Sequence, residues 1–273
     1  MSGRFPSRNT SGSGSTGDHK PVEAFKREMP CGAAVLGTEP GCGKTVFMTG
    51  LAATLKVEGF PARAIKPFIV GSRREADCEL SFISSITRTP LNYPILVIDA
   101  PAAVQESNWQ HAVMMAASKQ HLTLVELPGS CATPVSFEQG PLNAAPNWKD
   151  SADFACDLGL PCILVSRHNR EALEKIVLNA TYLQRRDARL IGIVTVETAE
   201  YPKQQALQLS QSDFQLAVVG RTNIPYLGCL KFSPSISVPR VNQGNLIKTT
   251  SAGIDLLMIL RSINAPLSMS DKM

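Results

Sequence analysis

The stretch Gly37-Thr38-Glu39-Pro40-Gly41-Cys42-Gly43-Lys44-Thr45 constrains the fold more than any other part of the chain. The apolar run Cys31 to Leu36 before it predicts a short strand. Val46 to Lys56 after it predicts a helix with Val46, Met48, Leu51, Ala52 and Leu55 on its apolar side. Strand, glycine turn and helix in that order aim backbone N–H groups and the positive helix end at one point, which suits phosphate. In this reading Gly41, Cys42, Gly43, Lys44, Thr45 and Val46 surround a nucleoside triphosphate, Lys44 reaches the outer phosphates and Thr45 ligates Mg²⁺. The spacing is irregular, because the glycine usually five places before the Gly-Lys pair is here Thr38, with Gly37 one earlier. A plain glycine-rich turn is the alternative.

The rest of the chain predicts an α/β fold in which a mostly parallel sheet is covered by helices on both faces. Its 273 residues, 44% of them apolar, can bury the core of one such domain. Residues 1–28 are rich in Ser and Gly and predict a disordered arm, 29–266 the domain, and 267–273 a tail. Strands are expected at Ala64 to Val70, Tyr93 to Ile98, Leu122 to Leu127, Pro161 to Ser166, Arg189 to Val196, Gln215 to Val219 and from Ile224 to Gly228. Helices are expected at Asp77 to Ile86, Trp109 to Ser118, Ser151 to Leu158, Asn169 to Tyr182 and Leu246 to Ile263, and a long loop at Ala132 to Pro146.

The net charge of +4 is modest and argues against a nucleic-acid partner. Seven cysteines without a C-x-x-C pair predict free thiols filling the core, and four scattered histidines predict no metal cluster. No leader-like apolar segment and no run of roughly eighteen apolar residues is seen, so the expectation is a cytoplasmic protein that does not span a membrane.

Ligands of such sheets gather at strand carboxyl ends, which singles out three charged residues. Lys66, before Pro67, is either an edge lysine or an ammonium aimed at phosphate. Asp77 is either a helix cap or a metal ligand. Glu126, set between apolar strand residues, needs a partner, and Mg²⁺ beside ATP would be one; Asp99 competes for that task.

These residues together resemble the dethiobiotin synthetase family. The phosphate loop Gly37 to Thr45 has that family's form, Lys66-Pro67 with Gly71 its Lys-Pro strand, and Val125-Glu126-Leu127-Pro128-Gly129-Ser130 its glutamate segment. The resemblance implies a homodimeric ligase that uses ATP and Mg²⁺ to join CO₂ to 7,8-diaminononanoate and close a cyclic urea. It implies Lys44, Lys66, Thr38 and Glu39 as catalytic residues and Thr45, Asp77 and Glu126 as metal ligands. Thr195 and Pro225 would meet the nucleobase, and Thr38, Lys66, Arg167, His168 and Asn169 the diamine acid. Two other readings stand beside it: a switch ATPase like ParA or MinD, and a regulatory nucleotide-binding protein that has lost catalysis.

Overall fold

The computed structural model describes residues 31–90, 96–98, 104–117, 121–138, 147–199, 205–237, 240–241 and 243–263. The expected arm, tail, Asp99 and the first residues of the Tyr93 strand lie outside them. The main sheet has six strands, all parallel. These are β1 (Gly32–Gly37), β2 (Ala62–Ile65), β5 (Leu122–Glu126), β8 (Cys162–Arg167), β9 (Leu190–Val196) and β10 (Tyr226–Leu230). Their spatial order is β10-β9-β8-β1-β5-β2, so the strand that enters the phosphate loop is central.

Both faces of this sheet are covered, as near-continuous apolar strands require. Ala34 and Leu36 of β1 join one core with Trp109, Phe154 and Phe214, while Ala33 and Val35 join the other with Phe47, Leu51, Phe82 and Leu246. The first face carries α3 (Glu106–Ala116), α4 (Ser151–Leu158), α5 (Ala172–Arg185) and α6 (Gln211–Thr222). The second carries α1 (Lys44–Val57), α2 (Arg73–Thr87), α7 (Gln243–Gly253) and α8 (Leu256–Ser262). On the first face Trp109 is fully buried, stacks with Phe68 and meets Phe154 edge-on, and its indole N–H donates to Asp157 at 2.8 Å. Trp109→Ala is therefore expected to lower unfolding stability by about 3–5 kcal/mol; an unchanged denaturant midpoint would contradict this packing.

Several elements differ from expectation, each for a local reason. The strand expected from Ala64 to Val70 is two: β2 ends at Ile65, and β3 (Phe68–Val70) pairs instead with β4 (Leu96–Ile98) in a separate parallel pair. Pro67 between them has no N–H for the ladder. The expected loop from Ala132 contains β6 (Pro134–Glu138), antiparallel to β7 (Asn147–Asp150). The expected strand Gln215 to Val219 is part of α6. Ser210 accepts from the Asp213 N–H at 3.1 Å and starts that helix, and Phe214 and Val218, four apart, share its buried face. The expected single helix Leu246 to Ile263 is α7 and α8, broken where Ile254 bridges to Gly228 and Asp255 caps the next turn. Two-residue strands β11 (Ile236–Ser237) and β12 (Arg240–Val241) complete the description.

Candidate nucleotide-binding site

The loop after β1 is built around residues without side chains. Gly43 holds φ 97°, and a Cβ there would lie 2.6 Å from Val196 Cγ1. A Cβ on Gly37 would lie 2.8 Å from both Cys42 Sγ and Lys44 Nζ. Gly43→Ala is thus expected to cost about 1–3 kcal/mol in strain and to weaken nucleotide binding sharply; wild-type affinity by fluorescent-nucleotide titration would count against this loop as the phosphate cradle. Beneath the loop, Cys42 is fully buried with its thiol donating to the Val165 carbonyl at 3.3 Å, so it supports the loop from inside.

A cavity of about 430 Å³ opens over the carboxyl ends of the strands, within the range of small-molecule sites. At its phosphate end lie Gly41, Gly43, Lys44, Thr45 and Val46, with Glu126 and Gly129 from the end of β5 and beyond. The Lys44 ammonium donates to the Gly129 carbonyl at 2.7 Å. The Thr45 hydroxyl donates to Glu126 Oε1 at 3.0 Å, and Glu126 Oε2 is buried without a hydrogen-bond partner. An orphaned carboxylate oxygen beside a threonine hydroxyl suits a hard divalent cation such as Mg²⁺, which takes oxygen ligands. The donor set fits the group that the fold implies.

Lys66, at the end of β2, reaches into the same place. Its ammonium pairs with Glu126 at 2.9 Å, donates to Thr45 Oγ1 at 3.3 Å and pairs closely with Glu79 of α2. Burial alone would lower its pKa, but the two carboxylates outweigh burial and hold it above the ordinary value. In this state a side-chain cation therefore shares the seat that suits a metal.

Other expected site residues lie elsewhere. Asp77 stands on the outer part of α2, 62% exposed and paired with Arg73 at 3.5 Å; Glu79, two residues on, is the carboxylate that faces the cavity. Thr38 is buried, with its hydroxyl donating to Ser166 at 3.1 Å. Glu39 pairs with Lys175 at 2.8 Å and with Arg167 at 3.5 Å, on the outer side of the loop. Arg167, His168 and Asn169 do not act as one turn: Arg167 folds over the phosphate loop onto the Pro40 carbonyl, His168 turns inward, and Asn169 accepts from the Glu171 N–H. Thr195 is fully buried between Tyr226 and His168, and Pro225 precedes β10 at the end of the sheet away from the cavity.

The rest of the cavity wall includes Val196, Glu197 and Thr198, at and past the end of β9, and Leu230 to Ser233, at and past the end of β10. Glu79, Thr198 and Leu230 to Ser233 were not singled out by the sequence. The signal was present in the rule for parallel sheets, by which ligands gather just past the carboxyl ends of strands and not at their starts.

A glycine loop joining a central parallel strand to a helix, with lysine, threonine and a strand-end carboxylate at one cavity, defines an ATP-binding P-loop protein. Residues 32–240 match the AAA domain family, and the chain belongs to that family. The chain is 28% identical to the ATP-dependent dethiobiotin synthetase BioD of Haloferax mediterranei over 173 residues, 59% of this chain and 69% of that one. Among solved structures, the MinC:MinD cell division protein complex of Aquifex aeolicus superposes with a TM-score of 0.50 at 14% identity, covering 86% of this chain and 98% of that one. A chloroplast FtsY from Physcomitrella patens gives 0.46 at 15% identity, covering 81% of this chain and 65% of that one, too loose to carry an argument.

The dethiobiotin synthetase reading is corrected by these findings. The sequence likeness is partial, and the fold is shared with a chain of a cell division protein complex over nearly its whole length. Within the site, Asp77 stands apart from the metal seat, and Thr38, Glu39 and the Arg167 turn are occupied by internal contacts. The assignments as ligase, to biotin biosynthesis, and to 7,8-diaminononanoate and CO₂ are withdrawn. No helix among the described residues is long and apolar enough to cross a membrane.

Proposed function

We propose that this chain is a nucleotide-driven switch that binds ATP with Mg²⁺ and hydrolyses it. The observation that carries this reading is the Lys66 ammonium shared among Thr45, Glu126 and Glu79 at the metal seat. Gly41, Gly43 and Lys44 would hold the phosphates, and Thr45 and Glu126 the metal. When bound, Mg²⁺ would offset charge on the phosphate oxygens. A cation held by Glu126 would compete with Lys66 for that carboxylate while leaving the Lys66–Glu79 pair intact. A shift of Lys66 would then carry Glu79, and with it α2, relative to the end of β2. Filling of the site is in this way converted into movement of a helix, which is the physical requirement for a switch.

The test is hydrogen exchange over Arg73–Thr87 in protein saturated with a slowly hydrolysed ATP analogue and Mg²⁺, or with ADP. A difference confined to α2 and the segment after β2 is expected. Identical exchange in both states would remove the switch and leave the second reading, a regulatory protein that senses nucleotide occupancy alone. Homodimer formation belongs to the same proposal, as self-association in the ATP state. Sedimentation in ATP analogue and in ADP measures it, and a monomer in both would reject it.

A further inference from the structure

A second group of donor side chains converges beside the cavity, against the expectation that the scattered histidines form no metal cluster. His168 follows β8, Glu197 follows β9, and Cys229 lies in β10. Their donor atoms, one nitrogen, one carboxylate oxygen and one thiol sulfur, all lie within 4.8 Å of one another.

We infer that His168, Glu197 and Cys229 form a binding site for a zinc-like transition-metal ion, distinct from the Mg²⁺ seat at Thr45 and Glu126. Ligands of a tetrahedral zinc ion stand about 3.3–3.8 Å apart, given bonds of roughly 2.0–2.3 Å to N, O and S. The observed spread is wider than that, so the three side chains must draw together as the ion binds. A thiolate beside an imidazole selects zinc over magnesium, which prefers oxygen alone.

The scaffold is rigid where precision is needed. The His168 N–H donates to the Val196 carbonyl and the Glu197 N–H to the Leu230 carbonyl, each at 2.9 Å, so all three donors hang from adjoining strand ends. The His168 Nδ1 shares a hydrogen bond of 2.9 Å with Thr195 Oγ1, the kind of outer contact that orients a ring for ligation. Cys229 is 2% exposed, while His168 and Glu197 line a hollow open to solvent together with Leu207, Gln211 and Lys231. Three protein ligands are the number that leaves a fourth position for water or another ligand.

The charge that currently balances Glu197 is Lys231, paired with it at 2.8 Å on a side chain 56% exposed. A long, half-exposed ammonium can swing into water when a metal takes the carboxylate. Glu197, Lys231 and Phe232 also wall the nucleotide cavity, so the two sites share residues.

The experiment titrates Co²⁺ into chelator-stripped full-length protein in excess Mg²⁺, in a Cys78→Ser/Cys156→Ser background that removes the two exposed thiols. One equivalent is expected to bind with a thiolate-to-cobalt charge-transfer band that Zn²⁺ abolishes. Cys229→Ser should remove the band. His168→Gln and Glu197→Gln, whose side chains are only partly buried, should each weaken binding at least about tenfold. Lys231→Ala should tighten it several-fold by removing the competing ammonium, an outcome that a purely structural polar cluster does not produce. Absence of the band in the parent overturns the proposal. So does a band or affinity unchanged in both His168→Gln and Glu197→Gln, which holds even if Cys229→Ser fails to fold.

Discussion

Lys44→Ala is expected to lower ATP turnover by a factor of about a hundred or more while leaving the fold in place. The ammonium sits at the phosphate end of the cavity and donates to two carbonyls, that of Glu39 at 3.5 Å and, more closely, that of Gly129 at 2.7 Å. That carbonyl borders the cavity and can turn to water, so the stability change should stay within about 1 kcal/mol. Steady-state turnover and thermal melting on the same preparation separate the two effects. Retention of half the turnover, with normal melting, would remove the loop's role in phosphate handling. Loss of turnover together with a large fall in melting temperature would make Lys44 a structural residue instead.

Lys66→Met carries the second large effect, and here stability is the readout. The Lys66 and Glu126 side chains are 8% and 3% exposed, so the substitution leaves one buried carboxylate uncompensated with a second, on Glu79, beside it. Breaking a buried pair from one side costs about 3–5 kcal/mol, which for a chain of this size lowers the melting temperature by on the order of 10 °C. The Lys66→Met/Glu126→Gln double variant should recover most of that loss, because the buried charge is then gone from both sides. Millimolar Mg²⁺ should stabilise the Lys66→Met protein more than the wild type, since the cation seat is no longer shared. Wild-type stability in the single variant would show that Glu126 is satisfied without Lys66, and the displacement argument would lose its basis.

The phosphate loop was legible from sequence because it is local: strand, glycines, lysine and helix follow one another within a few turns of chain. Lys66 and Glu126 were legible for a different reason, since a charge inside an apolar strand demands a partner wherever that partner is. What brings them together is the placement of β2 beside β5, and this pairing of distant segments has no trace in either segment alone. Asp77 and Glu79 show the limit well. Both lie on α2, but Asp77 points outward to Arg73 and Glu79 inward to Lys66, and the choice depends on helix phase against the sheet. The cavity wall past β9 and β10 was missed because Thr195 is buried inside β9 and Pro225 precedes β10, at the end away from the cavity. The resemblance to a ligase family went too far for a related reason: its most specific residues belong to the phosphate loop, which serves many reactions, while the groups that would define an acceptor are engaged in packing.

The central place of β1 sets the order in which the molecule can be assembled. The strand leading into the phosphate loop spans Gly32–Gly37, but its neighbours are β5, reaching Glu126, and β8, reaching Arg167. On a chain growing from its amino end, β1 and α1 emerge early and must wait for both flanking strands, with an apolar edge open meanwhile. Such long-range parallel pairing is slow and prone to association while incomplete. Nucleotide cannot rescue the earliest fragments, since Glu126 reaches the loop only after β5 has joined the sheet. A nascent chain stopped before Leu122 would present the glycine loop without its strand-end carboxylate and with both edges of β1 unpaired.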